Sequence, residues 1–121
     1  MNNNKPKQIL IIRRDLKMRR GKEIAQGCHA SQIAVRNASL LNSVAYQEWM
    51  SDKFTKICVT VTSEEELLEL NRQALLKGLP VGLVLDSGVT EFNNVPTYTA
   101  LAIGPAYDSE LKPITGHLPL Y

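Results

Sequence analysis

Residues 13–31 read RRDLKMRRGKEIAQGCHAS, and the fold turns on how this stretch divides. Its first half is a dense cationic turn. Its second half opens a helix predicted over Gly21–Ala38, in which Ile24, Cys28, Ser31 and Val35 recur at i, i+4, i+7 and i+11. That stripe is mostly small, which lets a helix lie close to a sheet, and it is expected to be the packing face. Lys22, Gln26 and His29 fall on a second stripe of the same spacing, so the helix can pack with one side and present chemistry with the other. Immediately upstream, Gln8–Ile12 (QILII) is short, β-branched and nearly continuous, the pattern of a central strand covered on both faces.

Downstream, Ser43–Met50 predicts a second, shorter helix with Trp49 as a packing anchor, and Lys56–Val61 (KICVTV) a second strand. Ser63 with Glu66 has capping-box spacing and opens a helix over Glu64–Lys77, whose stripe of Leu67, Leu70 and Ala74 packs and whose end is marked by Gly78. Val81–Leu85 (VGLVL) predicts a third strand that stops at Asp86-Ser87-Gly88. After a polar loop, Thr97–Ile103 returns as a fourth strand, antiparallel because its connection is short, and is expected to break at Gly104-Pro105. Asp108–Lys112 predicts a helical turn, and Gly116–Tyr121 a tail packed at a sheet edge.

This order predicts an α/β protein: a single three-layer α/β/α domain over residues 1–121, with a four-stranded mixed β-sheet and a flexible end at residues 1–6. The length suits one core, and 44% hydrophobic with 21% charged residues is ordinary for a soluble domain. Cys28 and Cys58 have neither disulfide-framework nor metal spacing and read as reduced core residues. No apolar run approaches a membrane span and no leader pattern opens the chain, so a cytoplasmic location without membrane association is expected.

Charge is distributed unevenly. Residues 1–22 carry eight basic side chains against Asp15 alone, a net of +7, whereas the remainder carries a net of −5. A local basic cluster attracts phosphates more strongly than the overall +2 suggests, and nucleic acid is the expected partner; a solvated basic tail is the plain alternative. In open α/β sheets, ligands sit beyond the carboxyl ends of the parallel strands. Lys22 after the first strand and Asp86 after the third belong to that end, and the returning fourth strand adds Thr97, Thr99 and the loop residue Thr90 to its rim. The simplest structural reading of Lys22 and Asp86 is an ion pair joining helix to strand. His29 has no visible acid partner and reads on its own as a packed or hydrogen-bonded residue. With no Gly-x-Ser-x-Gly elbow and no phosphate-loop glycines, a covalent mechanism is disfavoured.

Six separated blocks, in order, carry a resemblance to a known family: Arg13–Ala30 with its DLKM and GK elements, Ser63–Leu70, Gly78-Leu79-Pro80, Asp86-Ser87-Gly88 with Thr90, Thr99–Pro105, and Thr115-Gly116-His117-Leu118. Over nearly the whole chain they resemble the archaeal and eukaryotic type of peptidyl-tRNA hydrolase. The resemblance implies hydrolysis of the ester joining a peptide to the 3′ end of tRNA, with no metal or organic cofactor, commonly by a homodimer. It implies functional positions at Lys22, Asp86, Thr90 and Thr99, and matches Gln26 and His29 to the family's helix motif. Arg13, Lys17, Arg19 and Arg20 become candidates for holding tRNA phosphates. The chain departs from the family at Arg19 (usually glycine), Val89 (commonly basic), the Asn93–Pro96 loop and Pro119 (commonly basic). Val89 removes a possible phosphate contact and motivates an alternative, a weak or inactive relative that binds RNA or a protein through its basic face. An unrelated esterase or amidase on a similar scaffold is a third reading.

Overall fold

The strand expected at Gln8–Ile12 forms and is longer than expected, running Pro6–Arg13 (β1). The computed structural model describes residues 4–89 and 92–121. After β1 come a 3-10 turn (Arg14–Leu16), α1 (Arg20–Leu41), α2 (Val44–Met50), β2 (Lys56–Val61), α3 (Glu64–Leu76), β3 (Val81–Asp86), β4 (Thr97–Tyr107) and α4 (Asp108–Thr115). Of the six N-terminal residues expected to be flexible, Pro6 opens β1 and Asn4 accepts a hydrogen bond from the Ser109 amide at 3.0 Å.

The sheet has the order β2-β1-β4-β3. β1 pairs parallel to β2, and β4 is antiparallel to both β1 and β3, so β1 and β3 end at the same side of the sheet. This is the mixed four-stranded arrangement predicted, with helices on both faces. On one face Leu67, Leu70 and Ala74 of α3 and Leu111 and Ile114 of α4 pack on Ile9, Ile11, Val59, Val61, Leu101 and Ile103. On the other, Ala30 and Ala34 of α1 pack with Ile12, Val84, Ala100 and Ala102.

The packing face of α1 differs from the predicted stripe. Gly27, Ala30, Ala34 and Ala38 are buried, whereas Ile24 is 62% exposed and Cys28, expected in the core, is exposed. Apart from Gln26 and the partly buried Ile33, the residues that pack are glycine or alanine, and they bring the helix backbone nearer the sheet than a stripe containing Ile24 and Val35 could. The contact is closest at Gly82, where a Cβ would stand 2.1 Å from the Ala30 carbonyl oxygen and 2.6 Å from the Ala34 amide nitrogen.

β4 also differs: it continues through Gly104-Pro105 to Tyr107. The register between β1 and β4 shifts from Lys7↔Ala106 to Ile9↔Ile103, so Pro105 sits in an irregularity where its missing N–H breaks no ladder. Trp49 is buried and donates to the Thr55 carbonyl at 2.9 Å, which anchors α2 as expected. The C-terminal tail lies along β2, with Thr60 N–H donating to Pro119 and Tyr121 N–H to Cys58.

Gly82→Ala is expected to destabilise the protein by about 3 kcal/mol, since backbone atoms of α1 must retreat to admit the methyl group. Urea denaturation measures this. A loss below about 0.5 kcal/mol, the range of a neutral surface substitution, would mean the helix has slack over β3.

Candidate active site

Because β1 and β3 end at the same side, the head of α1 and the end of β3 come together. Lys22, in the first turn of α1, places its Nζ 2.9 Å from Asp86 Oδ1. Both side chains are largely withdrawn from water, at 16% and 13% exposure. The second carboxylate oxygen accepts the Gly88 N–H at 2.9 Å, so the Asp86 side chain is fixed at both ends. Gly88 adopts φ +84, and a Cβ there would lie 2.1 Å from the Val95 carbonyl oxygen. Only glycine lets the loop after β3 fold back this tightly. That loop puts the Phe92 ring 5.9 Å from Lys22 Nζ, a cation–π contact.

The second stripe of α1 is arranged as its spacing predicts, but its three members meet different surroundings. Gln26 is buried and its Oε1 accepts from Thr99 Oγ1 at 2.5 Å. Thr99 is fully buried in β4, and through Gln26 it is tied to the stripe of α1 that carries Lys22. His29 is exposed and near enough for its charge to favour the ionised form of Asp86. Thr90 lies outside the described residues.

The cationic arc divides as well. Arg13 is buried: it donates to Asp15 at 3.2 and 2.7 Å and to the Tyr98 carbonyl at 3.0 Å. These bonds tie the end of β1 to the 3-10 turn and the start of β4. Arg14, Lys17, Arg19 and Arg20 are exposed. Lys17 takes the left-handed conformation (φ 52) that turns the chain into α1, and Arg19 occupies the N-cap position without a side-chain capping bond. The positive end of the α1 helix dipole therefore reinforces the positive side chains. Sequence reasoning missed Phe92, whose loop position carries no periodic signal, whereas Arg14 lay within the basic arc expected to hold phosphates.

Asp86 carries a pKa below the usual carboxylate range. The Lys22 hydrogen bond is the main cause, burial opposes it, and the Gly88 amide and the charges of Lys22 and His29 add to it. A carboxylate of this kind stays ionised and is a poor resting base, while a firm acceptor for a water molecule. Among the described residues no group of three His, Cys, Asp or Glu side chains gathers to hold a metal ion, and no helix is long and apolar enough to cross a membrane. A groove of about 910 Å³ lies between α1 and the β1–β2 side of the sheet, with Leu10, Ile12, Arg20, Glu23, Cys58 and Tyr121 among its lining residues. Neither Lys22 nor Asp86 lines it, and the chemistry of that ion pair makes the pair the better candidate site.

Comparison with known proteins finds relatives over nearly the whole chain. The family model "Peptidyl-tRNA hydrolase PTH2" matches residues 6–121. A peptidyl-tRNA hydrolase of Methanocaldococcus jannaschii is 41% identical over 114 residues, covering 94% of this chain and 98% of the relative. One from Halobacterium salinarum is 42% identical over 115 residues, covering 95% and 99%. Among solved structures, a protein of unknown function from Agrobacterium tumefaciens superimposes with a TM-score of 0.60 at 9% identity, over 100% of this chain and 99% of that one, a likeness of fold alone.

NMR titration of side-chain carboxyls is expected to find Asp86 below the ordinary aspartate range, and Lys22→Ala to move it upward. Its folded pKa is depressed, so the stability it contributes is complete above the unfolded value and is lost as pH falls through the folded value. Lys22→Ala should shrink that acid-side contribution. An unmoved Asp86 titration in the variant would rule out the ion pair as the cause.

Proposed function

The chain belongs to the peptidyl-tRNA hydrolase PTH2 family, and we propose that Lys22, Asp86 and the head of α1 are the machinery with which it hydrolyses the ester between a peptide and the 3′ end of tRNA. The observation that carries this reading is the 2.9 Å contact between Lys22 and a doubly held, ionised Asp86 beside the basic turn. Asp86 orients a water molecule against the ester carbonyl carbon. As the water oxygen bonds to that carbon, negative charge grows on the carbonyl oxygen, which faces the Lys22 ammonium and the amides at the start of α1. An ammonium has three donors, so bonding Asp86 and facing the oxyanion are compatible. The proton of the water leaves along its hydrogen bond to Asp86. It reaches the ribose oxygen as the carbon–oxygen bond breaks, giving a free 3′ end and a peptide carboxylate.

Thr99 is a positioning residue in this scheme. Its hydroxyl holds Gln26 at 2.5 Å, and Gln26 lies one turn from Lys22 on the same face of α1. Thr90, a functional position by the family resemblance, donates a hydrogen bond to the substrate ester or fixes the water. The exposed Arg14, Lys17, Arg19 and Arg20 hold tRNA phosphates, while Arg13 braces the turn that presents them. His29 contacts substrate at the pocket rim. The alternative of an inactive RNA-binding relative finds no support: the relatives bear the hydrolase name and the ion pair is formed. A cytoplasmic homodimer is the state we propose from the family resemblance. Apolar side chains such as Ile24, 62% exposed, offer surface that a partner copy can cover.

Asp86→Asn and Lys22→Ala are each expected to fold and to lower kcat on peptidyl-tRNA by roughly 10²–10³-fold, the loss typical of one oxyanion or water-positioning group. Full activity in Asp86→Asn would dismiss the site. The double variant Lys17→Ala/Arg20→Ala is expected to keep kcat, raise KM and flatten the salt dependence of tRNA binding by about 0.7–0.9 log units per lost phosphate contact. An unchanged slope would move the RNA path elsewhere.

A further inference from the structure

Below Asp86, on the flank of α1 that faces the outer edge of the sheet, lies a second groove of about 520 Å³. His29, Ile33 and Arg36 line one side and Val84 and Leu85 the other. Building on the hydrolase reading, we infer that this groove holds the peptide half of the substrate as an added strand on the outer edge of β3. Leu85 adjoins Asp86 in sequence and the charge of His29 reaches the Asp86 carboxylate, so the groove opens at the point where the ester carbonyl is attacked.

The backbone of β3 supplies what a peptide needs. Among the described residues β4 is its only neighbour in the sheet. The Pro80 carbonyl accepts from Gly104 N–H at 2.9 Å and therefore faces β4. Alternation turns Val81 outward, and its carbonyl accepts from Asn37 Nδ2 at 2.8 Å. Two residues on, the N–H and C=O of Leu83 face outward too, beside the groove. An edge of this kind pairs with extended polypeptide through main-chain hydrogen bonds. RNA has no repeating amide to match it, and the apolar Ile33, Val84 and Leu85 suit side chains better than phosphates.

Direction follows from attachment. The peptide's C-terminal carbonyl is the ester, held at the Asp86 end, so the peptide must run parallel to β3 with its N-terminus toward Val81. The six residues of β3 span about 17 Å at roughly 3.4 Å each, but Asn37 already occupies the Val81 carbonyl, so pairing is confined to the few peptide residues nearest the ester.

The test compares N-acetylaminoacyl-tRNA, too short to reach Leu83, with pentapeptidyl-tRNA and with a pentapeptidyl-tRNA whose peptide amides are N-methylated. Wild-type protein is expected to show a KM about tenfold lower for the pentapeptidyl substrate, the effect of one or two net main-chain hydrogen bonds, and methylation should abolish the gain. Arg36→Glu should leave the affinity for free tRNA unchanged. Equal KM for all three substrates, or a methylated peptide bound as well as the plain one, would overturn the inference. So would an Arg36→Glu variant that weakens free tRNA, since RNA would then occupy the groove. If wild-type protein failed to hydrolyse even N-acetylaminoacyl-tRNA, the hydrolase reading itself would fall.

Discussion

The molecule depends on how closely α1 lies against the sheet. At Gly82 the helix backbone occupies the space a side chain would need, with the Ala30 carbonyl 2.1 Å from the position of a Cβ. Two polar contacts hold the same helix at either end of β3: Asn37 to the Val81 carbonyl at 2.8 Å, and Lys22 to Asp86 at 2.9 Å. Because α1 and β3 run in opposite directions, these contacts clamp the helix along the whole strand. If the helix were raised by the width of one methyl group, the Lys22 ammonium could no longer reach the carboxylate at hydrogen-bond distance. Tight packing of small residues thus sets the geometry of the charged pair.

That pair is poorly explained as a device for stability. Two charges at 16% and 13% exposure have lost much of their hydration, and their attraction offsets that loss only when the remaining hydrogen-bonding positions are used. Asp86 uses one oxygen for Lys22 and the other for Gly88 N–H. Each carboxylate oxygen accepts at more than one lone pair, so a water molecule can still bind there without displacing either partner. A hydrophobic pair would fill the space at less electrostatic cost. What it could not do is hold a fixed negative acceptor beside a fixed positive donor, the combination that ester hydrolysis by a positioned water requires.

Much of this was legible in the sequence. The β-branched run before the basic turn, the Ser63/Glu66 spacing and the Asp86-Ser87-Gly88 stop each reflect local chemistry, and each formed where expected. The convergence of Lys22 and Asp86 followed from topology alone. The burial of α1 did not follow, because hydrophobicity ranks Ile24 and Val35 above glycine and alanine, whereas the sheet selected the residues that let backbones touch. Gly104-Pro105 reads as a strand breaker, yet the irregularity opposite it in β1 accommodates a residue without an N–H; that is a cross-strand property, invisible locally. The fate of Arg13 was equally hidden. Its partners Asp15, Tyr98 and Glu64 come from three segments, and only the folded arrangement shows that this arginine braces the basic turn.

The outer edge of β3 bears on how one site can serve peptides of any sequence. Side-chain pockets would discriminate among nascent chains, whereas main-chain groups are common to all of them. An exposed edge strand invites unwanted pairing, and proteins normally limit it by shortness or by covering its polar groups. Here β3 has six residues, and Asn37 occupies the Val81 carbonyl. The pairing surface is thereby confined to the part nearest Asp86, where the scissile ester must lie. Recognition through a few amides beside the ester, with the rest of the peptide left in solvent, binds short and long chains alike and makes the position of the reacting carbonyl independent of the length and sequence of the peptide attached to it.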